Sequence, residues 1–176
     1  MVLVDESGFM LQPLIRRTWA EKGRTPLIEQ WDRRDRISVI AALALSPRRR
    51  RITMFFRLLD HNAKAEDFVW FLYDLRKELK RRLIVVWDNL GAHRRAENVL
   101  ATLDCGWARF ERLPPYAPEL NPVEHVWTTA KWGRMANAPP ANAEQLSDNV
   151  ANELNNQALE QRILRNHFHW AGLPLR

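Results

Sequence analysis

Arg82-Leu83-Ile84-Val85-Val86-Trp87-Asp88-Asn89-Leu90-Gly91-Ala92-His93 is the stretch that decides the fold. Four consecutive branched apolar residues, Leu83 to Val86, predict a strand buried on both faces, as in the middle of a covered sheet. The run stops at a charge, Asp88, and Asn89 and Gly91 turn the chain beyond it. In open α/β sheets functional groups gather beyond the carboxyl ends of strands. A lone Asp-Asn pair would be explained by an Asx-type turn ending the strand. Asp88 has company, however.

Met1-Val2-Leu3-Val4-Asp5 repeats the same grammar, an apolar run closed by a carboxylate, with Gly8 expected to release the chain from the strand. Upstream of Leu83, Phe68, Leu72, Leu75 and Leu79 step by four, three and four residues. They form one apolar stripe of a helix that Asn62 is placed to cap and that ends near Lys80. Arg36–Leu45 and Arg51–Leu59 are two further strands, joined by Ser46-Pro47-Arg48-Arg49-Arg50 as an antiparallel hairpin. Residues 11–35 are irregular, with short β-like pieces at 15–19 and 26–31.

Downstream of Asp88, residues 93–103 form a short helix that Gly106 ends. Trp107–Leu113 then alternates apolar and polar side chains as an edge strand does. Pro114-Pro115-Tyr116-Ala117-Pro118 is stiff, because proline fixes its own φ and restricts its predecessor. Asn121-Pro122-Val123-Glu124 is a helix start, with Asn121 at the N-cap, Pro122 first, and Glu124 third, where it can reach back to the cap. That helix should run to about Met135. Asn142 and Gln145 repeat the capping pattern before Leu146, Val150 and Leu154. The order β, β, β, α, β, α, β, α plus C-terminal helices is an α/β fold, a mixed five-stranded sheet with helices on both faces. Residues 1–176 form one domain, with 139–176 a helical extension of it.

Composition narrows the function. The 176 residues carry a formal charge of +6 in an arginine-rich surplus, which suits a polyanionic partner. The single Cys105 permits no intramolecular disulfide and fits a reducing, cytoplasmic setting. No apolar run approaches the ~20 residues of a membrane span, so no membrane partner is expected. If the first and fourth strands are parallel neighbours, Asp5 and Asp88 stand side by side, with Glu124 on a nearby helical turn. Three such carboxylates repel unless cations neutralise them, and hard Mg²⁺ or Mn²⁺ is the natural choice. Two ions ~3.5–4 Å apart suit phosphodiester displacement. Five histidines without ligand spacing argue against zinc. Neither a phosphate-binding glycine loop nor a nucleophile elbow occurs.

Val4-Asp5-Glu6-Ser7-Gly8-Phe9, Trp87-Asp88-Asn89 with His93, and above all Leu113-Pro114-Pro115-Tyr116-Ala117-Pro118-Glu119-Leu120-Asn121-Pro122-Val123-Glu124 with Trp127 carry a family resemblance. Over residues 1 to about 135 the chain resembles the DDE transposases of bacterial insertion sequences in the Tc/mariner superfamily. Thirty-five residues, 89 to 123, separate the second and third carboxylates, similar to the family's spacing. The resemblance implies a ribonuclease-H-like fold with Asp5, Asp88 and Glu124 as catalytic residues holding two Mg²⁺ (or Mn²⁺) ions. It implies cut-and-paste transposition: cleavage at transposon ends, then attack of the freed 3′-hydroxyl on target DNA. The expected partner is double-stranded DNA in a homodimeric complex, and the expected place is the bacterial nucleoid. Family members carry helix-turn-helix modules upstream of the first catalytic strand. These residues begin at that strand, so that N-terminal region is expected to be missing from the chain, and sequence-specific end binding is not expected of it alone.

Candidate DNA contacts are Arg48, Arg49, Arg50, Arg51, Arg94, Arg95 and Lys131. The arginines of the hairpin tip either grip phosphate or keep the tip soluble. Glu6, beside Asp5, should point to the other face. Asn89 and His93 either tune the site or serve turn and helix cap. Tyr116 either stacks on a base or anchors its proline-rich loop. Two other functions fit less of the sequence: a non-enzymatic DNA-binding remnant of a transposase, and a nuclease acting on RNA–DNA hybrids.

Overall fold

A computed structural model describes residues 1–12, 15–24, 27, 36–103 and 105–175. Its five-stranded sheet has the order β3-β2-β1-β4-β5. Strands β1 (Val2–Met10), β2 (Arg36–Leu45) and β3 (Ile52–Leu59) form an antiparallel meander. Strand β4 (Leu83–Trp87) then joins β1 in parallel, and β5 (Ala108–Arg112) joins β4 in parallel at the edge. Helix α1 (Ala65–Leu79) supplies the β3-to-β4 crossover and α2 (Gly91–Thr102) the β4-to-β5 crossover. Helices α3 (Pro122–Trp132), α4 (Ala143–Leu159) and α5 (Gln161–Trp170) follow. Among the described residues no helix is long and apolar enough to cross a membrane.

Alternation along β1 splits the core in two. Val2 and Val4 face α1 and α2 with Phe68, Leu72, Val85 and Trp87. Leu3 and Phe9 face α3, α4 and α5 with Val126, Trp127, Leu154 and Phe168. Successive side chains of a strand point to opposite faces, so one strand feeds both layers. Phe68, wholly buried, contributes roughly 1.5–3 kcal/mol by leaving water.

Several elements depart from the sequence expectation. Strand β1 does not end at Asp5: it continues to Met10, and Gly8 stays in register opposite Ser38. The antiparallel partner β2 carries it on, although the β4 ladder stops at Leu3↔Val86. Strand β4 is not covered on both faces either. Helices α3, α4 and α5 pack over β1, β2 and β3, so Ile84 stays 44% exposed. Helix α1 is capped at Lys64, whose backbone N–H donates to the Asp67 carboxylate at 2.8 Å, rather than at Asn62. Helix α2 begins at Gly91, and α3 stops at Trp132 because Gly133 leaves the helical conformation. Residues 15–19 form no strand. Arg16 is instead clamped to the end of α3, exchanging 2.7 and 2.8 Å bonds with the Asn137 amide and donating to the Trp132 carbonyl. Apart from Leu27, the piece expected at 26–31 lies outside the described residues.

Helices α3, α4 and α5 meet around a buried polar chain. His167 Nε2 donates to Gln157 Oε1 at 3.0 Å, and Gln157 Nε2 donates to Glu153 Oε1 at 3.0 Å. Burial first, and the nearby His125 second, push the His167 pKa down to about 4. Protonation would also place an N–H on Nδ1, which is buried with no partner among the described residues. The unfolded chain therefore takes up this proton first, and the contribution of His167 to folding stability falls as pH drops from about 6.5 toward 4. Urea unfolding of the parent and of His167→Gln, which keeps a donor and removes the titration, should give pH slopes that differ by up to ~1.4 kcal/mol per pH unit between about 6.5 and 5. An unchanged slope in the variant would assign the acid sensitivity elsewhere.

Candidate active site

The three expected carboxylates do line one cleft, of ≈ 420 Å³, walled by Asn89, Leu90 and the loop from Leu113 to Pro118. Asp5 arrives from the middle of β1, Asp88 from the residue after β4, and Glu124 from the first turn of α3. The parallel register Val2↔Val85 and Leu3↔Val86, extended by two residues, brings Asp5 level with Asp88.

Helix α3 is fastened to β1 at this level. Asn121, 2% exposed, caps the helix by accepting from Val123 N–H at 3.2 Å, while its Nδ2 donates to the Val4 carbonyl at 3.2 Å. The β4 ladder has ended there, and the amide satisfies a backbone acceptor that the sheet leaves open. One turn beyond Glu124, Trp127 donates its indole N–H to Asp5 Oδ2 at 2.8 Å. The indole packs edge-on against Phe9 with 6.0 Å between ring centres. Sequence reasoning assigned Trp127 no role. The available signal was that a buried indole N–H needs an acceptor.

The other layer orients Asp88. Its Oδ1 accepts from His93 Nδ1 at 2.6 Å and from Leu90 N–H at 2.9 Å. His93 is 1% exposed, stacked on Trp87 with 4.6 Å between centres, and its Nε2 stands 3.2 Å from Glu6 Oε2. Glu6 is thus on the opposite face from Asp5, as alternation demands, and there it meets His93. Burial by itself would lower the His93 pKa, but the hydrogen bond to Asp88 and the Glu6 carboxylate push it up to about 9. With its pKa pushed up to about 9, His93 is charged at neutral pH and stands between the Asp88 and Glu6 carboxylates. Asn89 Oδ1 accepts from Arg112 Nη1 at 3.2 Å, which leaves its side chain committed to the β5 edge.

Electrostatics separates the carboxylates. The Asp5 pKa is raised well above the ordinary range by burial, then by Glu124 and Glu6, against the Trp127 hydrogen bond. Glu124 is raised, chiefly by burial, and Lys131 opposes the rise. Asp88 is lowered, chiefly by the hydrogen bond from His93. Among the described residues, each carboxylate keeps at least one oxygen without a hydrogen bond. Uncommitted carboxylate oxygens are the donor chemistry that a hard divalent cation takes. As they stand, no three His, Cys, Asp or Glu side chains among the described residues are grouped closely enough to hold one ion.

The basic candidates scatter. Arg94 and Arg95 are exposed near the start of α2. Arg48–Arg51 are exposed too, but the tip follows Leu45, which bonds to Met1, at the N-terminal end of β1 rather than at the level of Asp5. Lys131 is partly buried: its Nζ donates to Ser7 Oγ at 2.7 Å and sits 5.1 Å from the Phe9 ring centre. Its side chain lines a separate cavity beside Gly8 and Met135, and its charge is favoured by Glu124 and Asp5.

A mixed sheet of this order, with helices on both faces and an acidic cleft where β1 and β4 part, is the ribonuclease-H-like architecture. The family follows from residues 1–147, which match the model described as DDE superfamily endonuclease, and the chain belongs to that family. Solved structures agree in fold. The Mos1 mariner paired end complex with Mn superposes with a TM-score of 0.69 at 17% identity, over 98% of this chain and 52% of that one. The Mos1 strand transfer complex gives 0.64 at 17% identity, over 96% and 52%. The catalytic domain of Mos1 mariner transposase gives 0.60 at 15% identity, over 96% and 74%. The chain therefore spans about half the length of the first two. No curated protein matches it.

Proposed function

We propose that the chain is the catalytic part of a cut-and-paste DNA transposase, cleaving double-stranded DNA and joining it to a target, as a homodimer, with Asp5, Asp88 and Glu124 as catalytic residues. The observation that carries this is the delivery of those three carboxylates, from three separate elements, into one cleft of a DDE endonuclease fold. Solved relatives described as paired end and strand transfer complexes, one with Mn and one with Mg, support DNA as substrate and a divalent ion as cofactor. Two Mg²⁺ or Mn²⁺ ions, when bound, activate the attacking oxygen and stabilise the leaving one. Asp5 Oδ1, Asp88 Oδ2 and the Glu124 carboxylate would hold them. Trp127 and His93 meanwhile fix the remaining oxygens of Asp5 and Asp88, which limits the side-chain motion that metal binding would have to arrest. Arg94 and Arg95, exposed near the start of α2, would contact the phosphate backbone.

The test is nicking of supercoiled plasmid by the purified chain with Mg²⁺ or Mn²⁺, lost in Asp88→Asn. Crowding alone suggests that removing this charge would stabilise the metal-free protein. The structure reverses the expectation, because Asp88 is the carboxylate stabilised by buried His93⁺. Asp88→Asn should therefore unfold at lower temperature than the parent, while remaining folded at 25 °C by circular dichroism. Undiminished metal-dependent nicking by this variant would remove Asp88 from the mechanism.

A further inference from the structure

Tyr116 is fully solvent-exposed, at 102% of its reference area, in the wall of the catalytic cleft. It therefore does not anchor the proline-rich loop. It also occupies the second central position of the turn at 115–116 with φ +58°. A turn with left-handed backbone at that position calls for glycine or asparagine, and a tyrosine there is strained. Among the described residues, the other non-glycine positions of positive φ are Arg49, Lys80 and Asn137, so Tyr116 is the one aromatic among them. Nothing in the fold repays either feature: the ring buries no area, and its hydroxyl has no hydrogen bond among the described residues. Backbone strain kept without a packing gain marks a site of function.

The surroundings say what the ring would meet. Pro114, Pro115 and Pro118 hold their own φ fixed, so the loop presents the ring from a stiff frame. The same loop runs from β5 into the turn before Asn121 and Glu124, and it shares the cleft with Asp5, Asp88 and Glu124. A phosphodiester at the carboxylates has a nucleobase attached one sugar away. We propose that Tyr116 is a stacking platform for a nucleobase splayed out of the duplex next to the phosphate being cut. This deepens the DNA-cleaving reading and rests on it. Stacking on an aromatic ring is tolerant of sequence, because every base has a π face. Taking a base out of the stack costs least at a junction or a mismatch. The platform therefore predicts a preference for cutting at distorted or branched positions.

The experiment uses the full chain and a forked duplex carrying 2-aminopurine at the junction. Fluorescence follows stacking without requiring cleavage, and supercoiled plasmid reports nicking with Mn²⁺. The parent and Tyr116→Phe should both change the 2-aminopurine signal and nick at similar rates. Tyr116→Ala and Tyr116→Asn should leave the signal unchanged and nick about tenfold more slowly or worse. Asparagine suits the left-handed backbone, so Tyr116→Asn should melt at or above the parent temperature. Loss of cleavage with undiminished stability is an outcome that a merely structural tyrosine would not produce. Parent-like fluorescence changes in the alanine and asparagine variants would overturn the proposal, as would a fall in melting temperature that tracks their loss of nicking. Nicking that survives Asp88→Asn would count against the catalytic reading instead, and the fluorescence arm would still decide Tyr116.

Discussion

Asp5→Asn should abolish metal-dependent DNA cleavage and at the same time raise the melting temperature of the metal-free protein. Asp5 is the carboxylate that the fold strains most: it is buried, and Glu124, Glu6 and Asp88 all oppose its charge. Asparagine has the same shape, keeps an oxygen for the Trp127 indole N–H, and removes the charge. The sign follows from proton uptake. The folded state holds the Asp5 proton more tightly than the unfolded chain does. The Asp5 contribution to parent stability therefore falls as pH rises from 3.8 through the raised pKa, and the deficit is fully developed above it. The variant escapes that deficit, so its advantage should appear at neutral pH and vanish below about 3.8. Cleavage should drop by at least ~10²-fold, the upper effect of losing groups one shell further from a metal. Adding Mn²⁺ should raise the parent melting temperature and leave the variant nearly unmoved. A variant that melts lower than the parent without metal would show that Asp5 is held by attraction rather than held against repulsion.

What the sequence disclosed and what it concealed divide along a physical line. Local signals served well. The apolar run into Asp88, the four-three-four stripe of α1, the alternation of β5 and the Asn121-Pro122 helix start each depend on neighbours a few residues away. Strand β1 outruns its local signal because its last five residues, Glu6 to Met10, are held in line by β2, some thirty residues on. No local pattern reports that partner. Ile84 is exposed for the complementary reason, since coverage of β4 depends on where α3 to α5 come to rest. The carboxylates themselves were readable because each ends an apolar run or begins a helix. Their supports were not. Trp127 reaches Asp5 across 122 positions, and Asn121 reaches Val4 across 117. His93 joins Glu6 to Asp88 only because α2 folds back over the end of β4.

Glu124 is where a structural role and a catalytic one compete, and the structure weakens the first. Position three of a helix suits a glutamate that bonds back to the N-cap N–H. Here that N–H, on Asn121, donates instead to the Pro118 carbonyl at 2.8 Å, within the turn that ends the proline-rich loop. The Glu124 carboxylate is therefore not used as a cap and is left to the cleft. Its remaining structural contribution is charge against the positive end of the α3 dipole, worth ~0.3–1 kcal/mol. Burial and the charges of Glu6 and Asp88 work against that gain, while Lys131 favours it. Glu124→Gln should accordingly change stability by less than about 1 kcal/mol in either direction. A neutral amide is a far poorer ligand for a hard cation than a carboxylate, so cleavage should fall by ~10²-fold or more on the same preparation. Isothermal titration with Mn²⁺ should show weakened binding alongside. The separation of the two readouts carries the argument, because a cap would lose stability and keep activity. If Glu124→Gln cleaves like the parent, the third carboxylate lies elsewhere, and exposed Glu119 on the turn before Asn121 is the first place to look.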